Sequence, residues 1–169
     1  MKRIIKLLSV LSAVISMSSC IGEDPADVAD IKVGDLIPDF TVEMNDGSTI
    51  TGEQLRKGVS LIMFFHTDCP DCAVTLPEVQ KIYNEYSHKN VRFALISREE
   101  EASAVSLYWR ANHMTMLYSA QSDRKIYNLF AESRIPRVYI SIDGVVKAVF
   151  TDNPNPKYED MKAVLEGLI

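Results

Sequence analysis

The sequence predicts an α/β sandwich in which a central mixed β-sheet is flanked by helices on both faces. A continuously apolar run, Leu61–Phe65, precedes a helical pattern and a second apolar run, Val91–Ile96. Such runs are typical of neighbouring parallel strands that are buried on both faces of a sheet. Further along the chain, Asp143 and Gly144 separate two strand-like segments, which is a strong hairpin signal. A strand–helix–strand unit combined with an antiparallel hairpin gives a mixed sheet.

The elements alternate along the chain in the order that this architecture requires. Phe40–Met44 has the composition of a strand, and the sequence NDGS at 45–48 predicts a turn after it. The strand at 61–65 leads into a helix at 70–86, in which apolar side chains recur at helical spacing. The later elements are predicted as the strand at 91–96, a helix at 99–112, a short strand at 115–119, a helix at 123–131 with Ser122 or Asp123 as its N-cap, strands at 137–142 and 145–150, and a helix at 157–168.

The composition is that of a globular protein with one main domain. The chain has 169 residues, of which 47% are hydrophobic and 24% are charged, and this is enough to build one buried core. The formal net charge of −5 gives no electrostatic reason to expect a nucleic acid as a partner.

The beginning of the chain predicts export from the cell. Lys2, Arg3 and Lys6 precede an apolar run at 7–15, and small polar residues then lead to Cys20, which is the pattern of a signal peptide. The apolar run is shorter than the about 20 residues that a membrane-spanning helix needs. The stretch MSSC, which ends at Cys20, resembles a bacterial lipoprotein signal, in which the cysteine is lipidated and becomes the mature N-terminus. The alternative is a plain secretory signal that leaves this thiol free.

These features predict a signal peptide at 1–19, an acidic tether at 20–33 and a folded domain at 34–169. Lipidation of Cys20 would account for an odd cysteine in an exported protein and would leave Cys69 and Cys72 as a pair. The predicted location is the bacterial cell envelope, where the lipid on Cys20 would hold the protein on the periplasmic side or at the cell surface.

Cys69 and Cys72 are compatible with a metal site, a structural staple or a redox switch. A structural zinc needs four ligands, and the three histidines, His66, His88 and His113, have no paired spacing. Covalent haem attachment is excluded because the residue after Cys72 is not histidine. A disulfide between cysteines so close in sequence removes little entropy from the unfolded chain. The sequence therefore predicts no metal site and disfavours a purely structural disulfide.

The surroundings of the pair favour redox chemistry. Cys69 follows a buried strand and precedes a predicted helix, whose positive N-terminus stabilises a thiolate. A thiolate is the species that attacks disulfides. Cys72, one helical turn further on, could then attack the mixed disulfide that forms.

Three segments resemble the TlpA/ResA-type thiol-disulfide oxidoreductases of the thioredoxin superfamily, over about residues 33–169. VGDLIPDF at 33–40 is similar to the entry segment of that family, and LIMFFHTDCPDC at 61–72 is similar to its strand and active-site turn. RIPRVYISIDGVV at 134–146 is similar to the segment that carries the family's cis-proline. The resemblance implies a thioredoxin-like sandwich. It also implies a disulfide-containing exported protein as substrate, a membrane reductase as electron donor, and no cofactor beyond a redox-active Cys69–Cys72 disulfide.

The resemblance also assigns roles to individual residues. Cys69 would be the nucleophile, Cys72 the resolving cysteine, and Pro136 the cis-proline at which substrate docks. Supporting roles are implied for Pro70 and Asp71 between the cysteines, for Pro77 as the kink in the helix, and for Ile135, whose backbone would bind an extended substrate.

The chain departs from the family pattern at several positions. Met63 stands where thioredoxins have a buried aspartate, and Thr75 stands where several relatives have an acidic residue. The proton acceptor for Cys72 is therefore not identified by the sequence, with His66, Glu78 and solvent as candidates.

Charged residues also surround the predicted nucleophile. Asp68 and Asp71 flank Cys69 and would oppose a thiolate, so we expect a reductant more than an oxidant. Arg134 and Arg137 flank Pro136 and could stabilise the thiolate, attract an acidic partner or be ordinary surface charges.

Two other functions are compatible with the same fold. A thiol peroxidase needs a threonine three residues before its reactive cysteine, whereas Thr67 is two residues before Cys69. A non-catalytic module that binds a metal or another protein is the second alternative.

Overall fold

The structure is a computed structural model that describes residues 30–169. The predicted signal peptide, Cys20 and most of the predicted tether lie outside these residues. The chain passes in order through β1 (Thr41–Glu43), β2 (Thr49–Thr51), α1 (Gly52–Leu55), β3 (Val59–Phe65), α2 (Pro70–Tyr86), β4 (Arg92–Ser97), α3 (Ala102–Ala111), β5 (Tyr118–Ser119), a 3-10 turn (Tyr127–Leu129), β6 (Arg137–Ile142), β7 (Val145–Phe150) and α4 (Tyr158–Glu166).

Within residues 30–169, five strands form a mixed sheet in the order β5-β4-β3-β6-β7. Strand β3 lies at its centre and is parallel to β4 but antiparallel to β6. Phe64 of β3 pairs with Ile96 on one side and with Arg137 on the other. The end of β3 therefore lies next to the beginning of β6.

Side chains of β3 alternate between two apolar layers. Leu61, Met63 and Phe65 pack in the layer that contains α2, α3 and α4. Ile62 and Phe64 pack in the opposite layer, with β1, α1 and the 3-10 turn. Helices thus cover both faces of a mixed sheet, which confirms the predicted fold class, although all the long helices lie on one face. Right-handed crossovers explain the position of α2 and α3, because β3-α2-β4 and β4-α3-β5 advance in the same direction across the sheet.

The predicted helix at 123–131 is wrong, because only the 3-10 turn forms there. Neither Ser122 nor Asp123 is a helix N-cap, and the Asp123 carboxylate instead accepts a hydrogen bond from the backbone N–H of Lys125 at 2.9 Å. The buried side chain of Tyr127 donates its hydroxyl to the carbonyl oxygen of Arg134 at 2.7 Å. Local polar contacts and the burial of this tyrosine therefore override the helical pattern.

Helix α3 begins at Ala102, later than predicted. Glu99 adopts a positive φ of 58°, which interrupts a right-handed helix. Its N–H bonds to the Asp123 carbonyl at 3.3 Å, and the N–H of Glu100 bonds to the Gln121 carbonyl at 2.8 Å. The segment between β4 and α3 is thus attached to the chain that follows β5.

Strand β1 was predicted, whereas β2 and α1 are two elements that the sequence prediction lacked. Strand β1 pairs with β2 across the predicted turn at 45–48. Thr51 and Gln54 then form a capping box that begins α1. This Thr-x-x-Gln signal is visible in the sequence, but one helical turn is too short to produce a periodic apolar pattern. Among residues 30–169, no helix has the length and hydrophobicity that crossing a membrane requires.

Candidate active site

Cys69 lies at the N-cap of α2, immediately beyond the turn that follows β3. Its backbone is extended, with φ −83° and ψ 118°, and its sulfur accepts a hydrogen bond from the backbone N–H of Cys72 at 3.4 Å. Pro70 occupies the first helical position, where its missing N–H and fixed φ suit the start of a helix. The Cys69 side chain is partly exposed and its thiol is free. An incoming sulfur can therefore approach an atom that already accepts a backbone N–H from the first turn of the helix.

Cys72 is chemically different because it is fully buried, although its thiol is also free. Burial raises the pKa of the Cys72 thiol well above its ordinary value, and the neighbouring Cys69 side chain also raises it. The backbone N–H of His66 and the guanidinium of Arg98 act in the opposite direction on this pKa. The geometry thus combines one accessible thiol with one that stays protonated and shielded.

A proline loop forms the wall opposite the two cysteines. The Ile135–Pro136 peptide bond is cis, and the carbonyl oxygen of Ile135 accepts a hydrogen bond from the Cys69 thiol at 3.6 Å. Pro136 is buried, whereas Ile135 is half-buried. The structure therefore brings the proline segment and the cysteine turn together, as the pairing of β3 with β6 requires.

The two arginines beside this proline have different environments. Arg134 is exposed and lies 3.7 Å from the Asp152 carboxylate. The side chain of Arg137 is only 6% exposed and makes a 2.5 Å ion pair with Asp30, so it is not a surface charge. It also donates to the carbonyl oxygen of Ser133 at 3.1 Å. Arg137 therefore joins the start of the domain to the proline loop.

The environment of Asp30 supports this ion pair. Burial opposes ionisation, but hydrogen bonds from the Glu132 N–H and from Arg137 hold the pKa of the Asp30 carboxyl below its ordinary value. Asp30 thus presents a carboxylate to the buried guanidinium.

Glu100 is the functional candidate that the sequence analysis missed. It is 5% exposed, and its carboxylate accepts hydrogen bonds from the Thr67 backbone N–H at 3.1 Å and from the Thr67 hydroxyl. His66 Nδ1 lies 3.9 Å from the same carboxylate and accepts the N–H of Asp68 at 3.1 Å. Glu100 therefore fixes the turn that carries the His66 N–H to Cys72. The available signal was its position just after β4, because the carboxyl ends of neighbouring parallel strands meet at one edge of a sheet.

Other predicted residues around the helix have separate partners. The Glu78 carboxylate accepts hydrogen bonds from Lys81 and from the backbone N–H of Tyr158, at 2.6 and 2.9 Å. The Thr75 hydroxyl donates to the carbonyl oxygen of Asp71 at 2.9 Å. Pro77 lies within α2, which continues through it to Tyr86. None of these contacts involves a cysteine.

The described part of the chain contains no cluster of three His, Cys, Asp or Glu side chains that could hold a metal ion. His66 lies beside Glu100, whereas His113 follows α3 at a positive φ of 54°.

The fold and the site together define a thioredoxin-like protein, with a C-x-x-C pair at a helix N-terminus and a cis-proline opposite it. The chain belongs to the Redoxin family, whose model matches residues 32–165. It is similar to the thiol-disulfide oxidoreductase ResA of Oceanobacillus iheyensis, with 26% identity over 130 residues that cover 71% of this chain and 67% of ResA.

Solved structures confirm the thioredoxin-like fold. One is the thioredoxin domain of a thiol-disulfide oxidoreductase from Bacteroides vulgatus, with a TM-score of 0.70 and 14% identity, covering 83% of this chain and 100% of that chain. Another is StoA from Bacillus subtilis, with a TM-score of 0.64 and 18% identity, covering 76% of this chain and 96% of that chain.

The unequal burial of the two thiols predicts selective alkylation. Iodoacetamide added to the folded, reduced protein at pH 8 should label Cys69 and leave Cys72 unlabelled, because burial keeps the Cys72 thiol both inaccessible and protonated. In urea, both thiols should react. Peptide mass spectrometry measures the two sites separately, and equal labelling in the folded protein would contradict the arrangement.

The contacts of Glu100 predict a loss of stability on truncation. Glu100→Ala would leave the Thr67 N–H without its partner, so the free energy of unfolding of the reduced protein should fall by roughly 1–3 kcal/mol. Urea unfolding measures this change. Glu101→Ala is the matched control, because Glu101 is exposed and its side chain makes no capping hydrogen bond. Equal effects of the two substitutions would argue against the role given to Glu100.

Proposed function

We propose that this protein is a thiol-disulfide oxidoreductase that reduces disulfides of exported proteins. The observation that carries the proposal is the paired geometry at the start of α2. The Cys69 sulfur is partly exposed and accepts the Cys72 N–H at 3.4 Å, whereas the Cys72 thiol is buried behind it. The similarity to ResA, which is named for this activity, supports the same chemistry.

The reaction proceeds by two exchanges of sulfur partners. The Cys69 thiolate attacks one sulfur of the substrate disulfide, which forms a mixed disulfide and releases the other substrate sulfur as a thiolate. Cys72 loses its proton and attacks the Cys69 sulfur, which releases the second substrate thiolate. Two electrons pass to the substrate, and the protein is left with a Cys69–Cys72 disulfide. A dithiol donor, proposed here to be a membrane reductase, returns the pair to its reduced state.

Burial gives the two thiols their order of action. Only Cys69 is accessible to a folded substrate, so it is the nucleophile. Because burial raises the pKa of the Cys72 thiol, this thiol stays protonated until the resolving step. Its proton leaves as its sulfur attacks the mixed disulfide. His66 and solvent are the candidate acceptors, while the Glu78 carboxylate is engaged by Lys81 and Tyr158.

The proline loop supports substrate docking beside the nucleophile. The Ile135 carbonyl lies 3.6 Å from the Cys69 sulfur, so a peptide whose sulfur bonds to Cys69 would lie along this segment. Pro136 contributes by fixing the backbone that carries this carbonyl.

We propose that the pair works as a reductant, because Asp68 and Asp71 add negative charge near Cys69 and oppose strong thiolate stabilisation. A reduction potential of about −120 mV, which is that of a strong oxidant, would contradict this direction. The peroxidase alternative is weaker, because the Thr67 hydroxyl is bonded to Glu100 rather than directed at Cys69.

The cysteine roles predict different phenotypes for two substitutions. Cys69→Ser should abolish reduction of insulin disulfides, because no accessible nucleophile remains. Cys72→Ser should trap mixed disulfides between Cys69 and its partners, because the resolving step is lost. Turbidity of precipitating insulin and non-reducing electrophoresis measure the two effects, and an unchanged rate in either variant would refute the assignment.

We also propose that the protein is exported and held at the membrane by a lipid on Cys20. The expected outcome of Cys20→Ser is release from the membrane fraction, with insulin reduction by the purified protein unchanged. Fractionation of cells that express each form measures the first effect. Membrane association that persists in the variant would rule out this anchor.

A further inference from the structure

The 151–157 loop, which connects β7 to α4, contacts both walls of the active site. At one end, the Asp152 carboxylate lies 3.7 Å from Arg134, next to the proline loop. Further along, the side-chain amide of Asn155 donates a hydrogen bond from Nδ2 to the Asp71 carboxylate at 2.8 Å. At the start of α4, the Tyr158 N–H bonds to Glu78 of α2 at 2.9 Å.

The contact with Asp71 reaches the dipeptide between the two cysteines. Asp71 lies in the first turn of α2, and its carbonyl oxygen accepts the Thr75 hydroxyl at 2.9 Å. Its carboxylate accepts the amide of Asn155 at 2.8 Å. The backbone and the charge of Asp71 are therefore both held in place, and the charge is held from a distant part of the chain.

The charge of Asp71 bears directly on the nucleophile. A carboxylate near a thiolate makes the thiolate less favourable, whereas the helix N-terminus makes it more favourable. The N–H that Asn155 donates offsets part of the negative potential of the carboxylate. Loss of this N–H would therefore leave more of the negative charge of Asp71 uncompensated beside Cys69.

The two polar atoms of the Asn155 side chain differ in their contacts. Its Oδ1 is buried and has no hydrogen-bond partner among the described residues. A buried polar atom without a partner destabilises the folded state. Among the residues that the structure describes, the Asn155 side chain makes one hydrogen bond, which is the bond to Asp71.

We propose that Asn155 is a positioning residue that acts through Asp71 to raise the reduction potential of the Cys69–Cys72 couple. This inference rests on the proposed function and deepens it, because it names a residue outside the cysteine turn that regulates the same site. The couple is defined by a balanced exchange. The protein dithiol and oxidised glutathione form the protein disulfide and two molecules of reduced glutathione, with the transfer of two electrons and two protons.

The experiment is a double-mutant cycle on this redox equilibrium. The wild type, Asn155→Ala, Asp71→Asn and the double variant are equilibrated with glutathione buffers at mildly alkaline pH, which favours the thiolate. The fraction of disulfide is then measured by acid quenching, thiol alkylation and mass spectrometry. Asn112→Ala is the matched control, because its amide bonds to the Tyr108 carbonyl at 2.9 Å on a different helix.

Asn155→Ala should shift the equilibrium roughly two- to fourfold toward the disulfide, which corresponds to about 9 to 18 mV. Asp71→Asn should shift it in the opposite direction, because it removes the charge that opposes the thiolate. In the Asp71→Asn background, adding Asn155→Ala should change the equilibrium by less than about 1.5-fold, because no carboxylate remains to be offset. Asn112→Ala should match the wild type.

A shift from Asn155→Ala that is absent, reversed or equal in both backgrounds would overturn the inference. Thermal unfolding reports whether each variant is folded, and a structural role alone would change the melting temperature without changing the potential. If Asn155→Ala does not fold, Asn155→Asp replaces it, with a larger shift toward the disulfide expected because two carboxylates would then face each other. If the wild-type protein forms no Cys69–Cys72 disulfide at any glutathione ratio, the proposed function is overturned as well. If the wild type titrates normally and Asn155→Ala does not change the equilibrium, only the inference about Asn155 is overturned.

Discussion

The pairing of β3 with strands on both sides is the constraint on which the site depends. All seven residues of β3 are buried, so the strand ends at a fixed point in the core. The antiparallel pairing of Phe64 with Arg137 brings the residues before β6 to that same end of the sheet. Because of this register, the carbonyl of Ile135 lies against the sulfur of Cys69 although the two are distant in sequence.

The geometry of a helix N-terminus then gives the two thiols different exposures to solvent. Residues three positions apart at the start of a helix differ in exposure when one is the N-cap and the other faces the core. Cys69 is the N-cap, and Cys72 points into the apolar layer that also contains Leu76 and Trp109. A single change of direction in the chain therefore produces one accessible thiol and one shielded thiol.

Charged and polar side chains from other elements complete the site through long-range contacts. Glu100, after β4, holds the turn before Cys69, and Asn155, after β7, holds the carboxylate between the cysteines. Asp30 neutralises the buried Arg137 beside the proline loop. Each of these residues comes from a loop at the same edge of the sheet, where the ends of several strands converge.

Local patterns in the sequence were sufficient for much of the fold. The apolar runs, the helical spacing from Pro70 and the Asp-Gly turn determine α2, β6 and β7 with the observed bounds, because each of these elements has a strong signal in its own residues. The helix predicted at 123–131 does not form, because the local hydrogen bond of Asp123 and the burial of Tyr127 compete with its periodicity, and that burial depends on the rest of the fold. The sequence by itself determined the fold class and the pair of cysteines that the site is built around. Only the tertiary structure decided that Arg137 is buried against Asp30, that Glu100 lies behind the active-site turn and that Asn155 reaches Asp71. These contacts join residues that are distant in sequence, and strand register rather than sequence spacing brings them together.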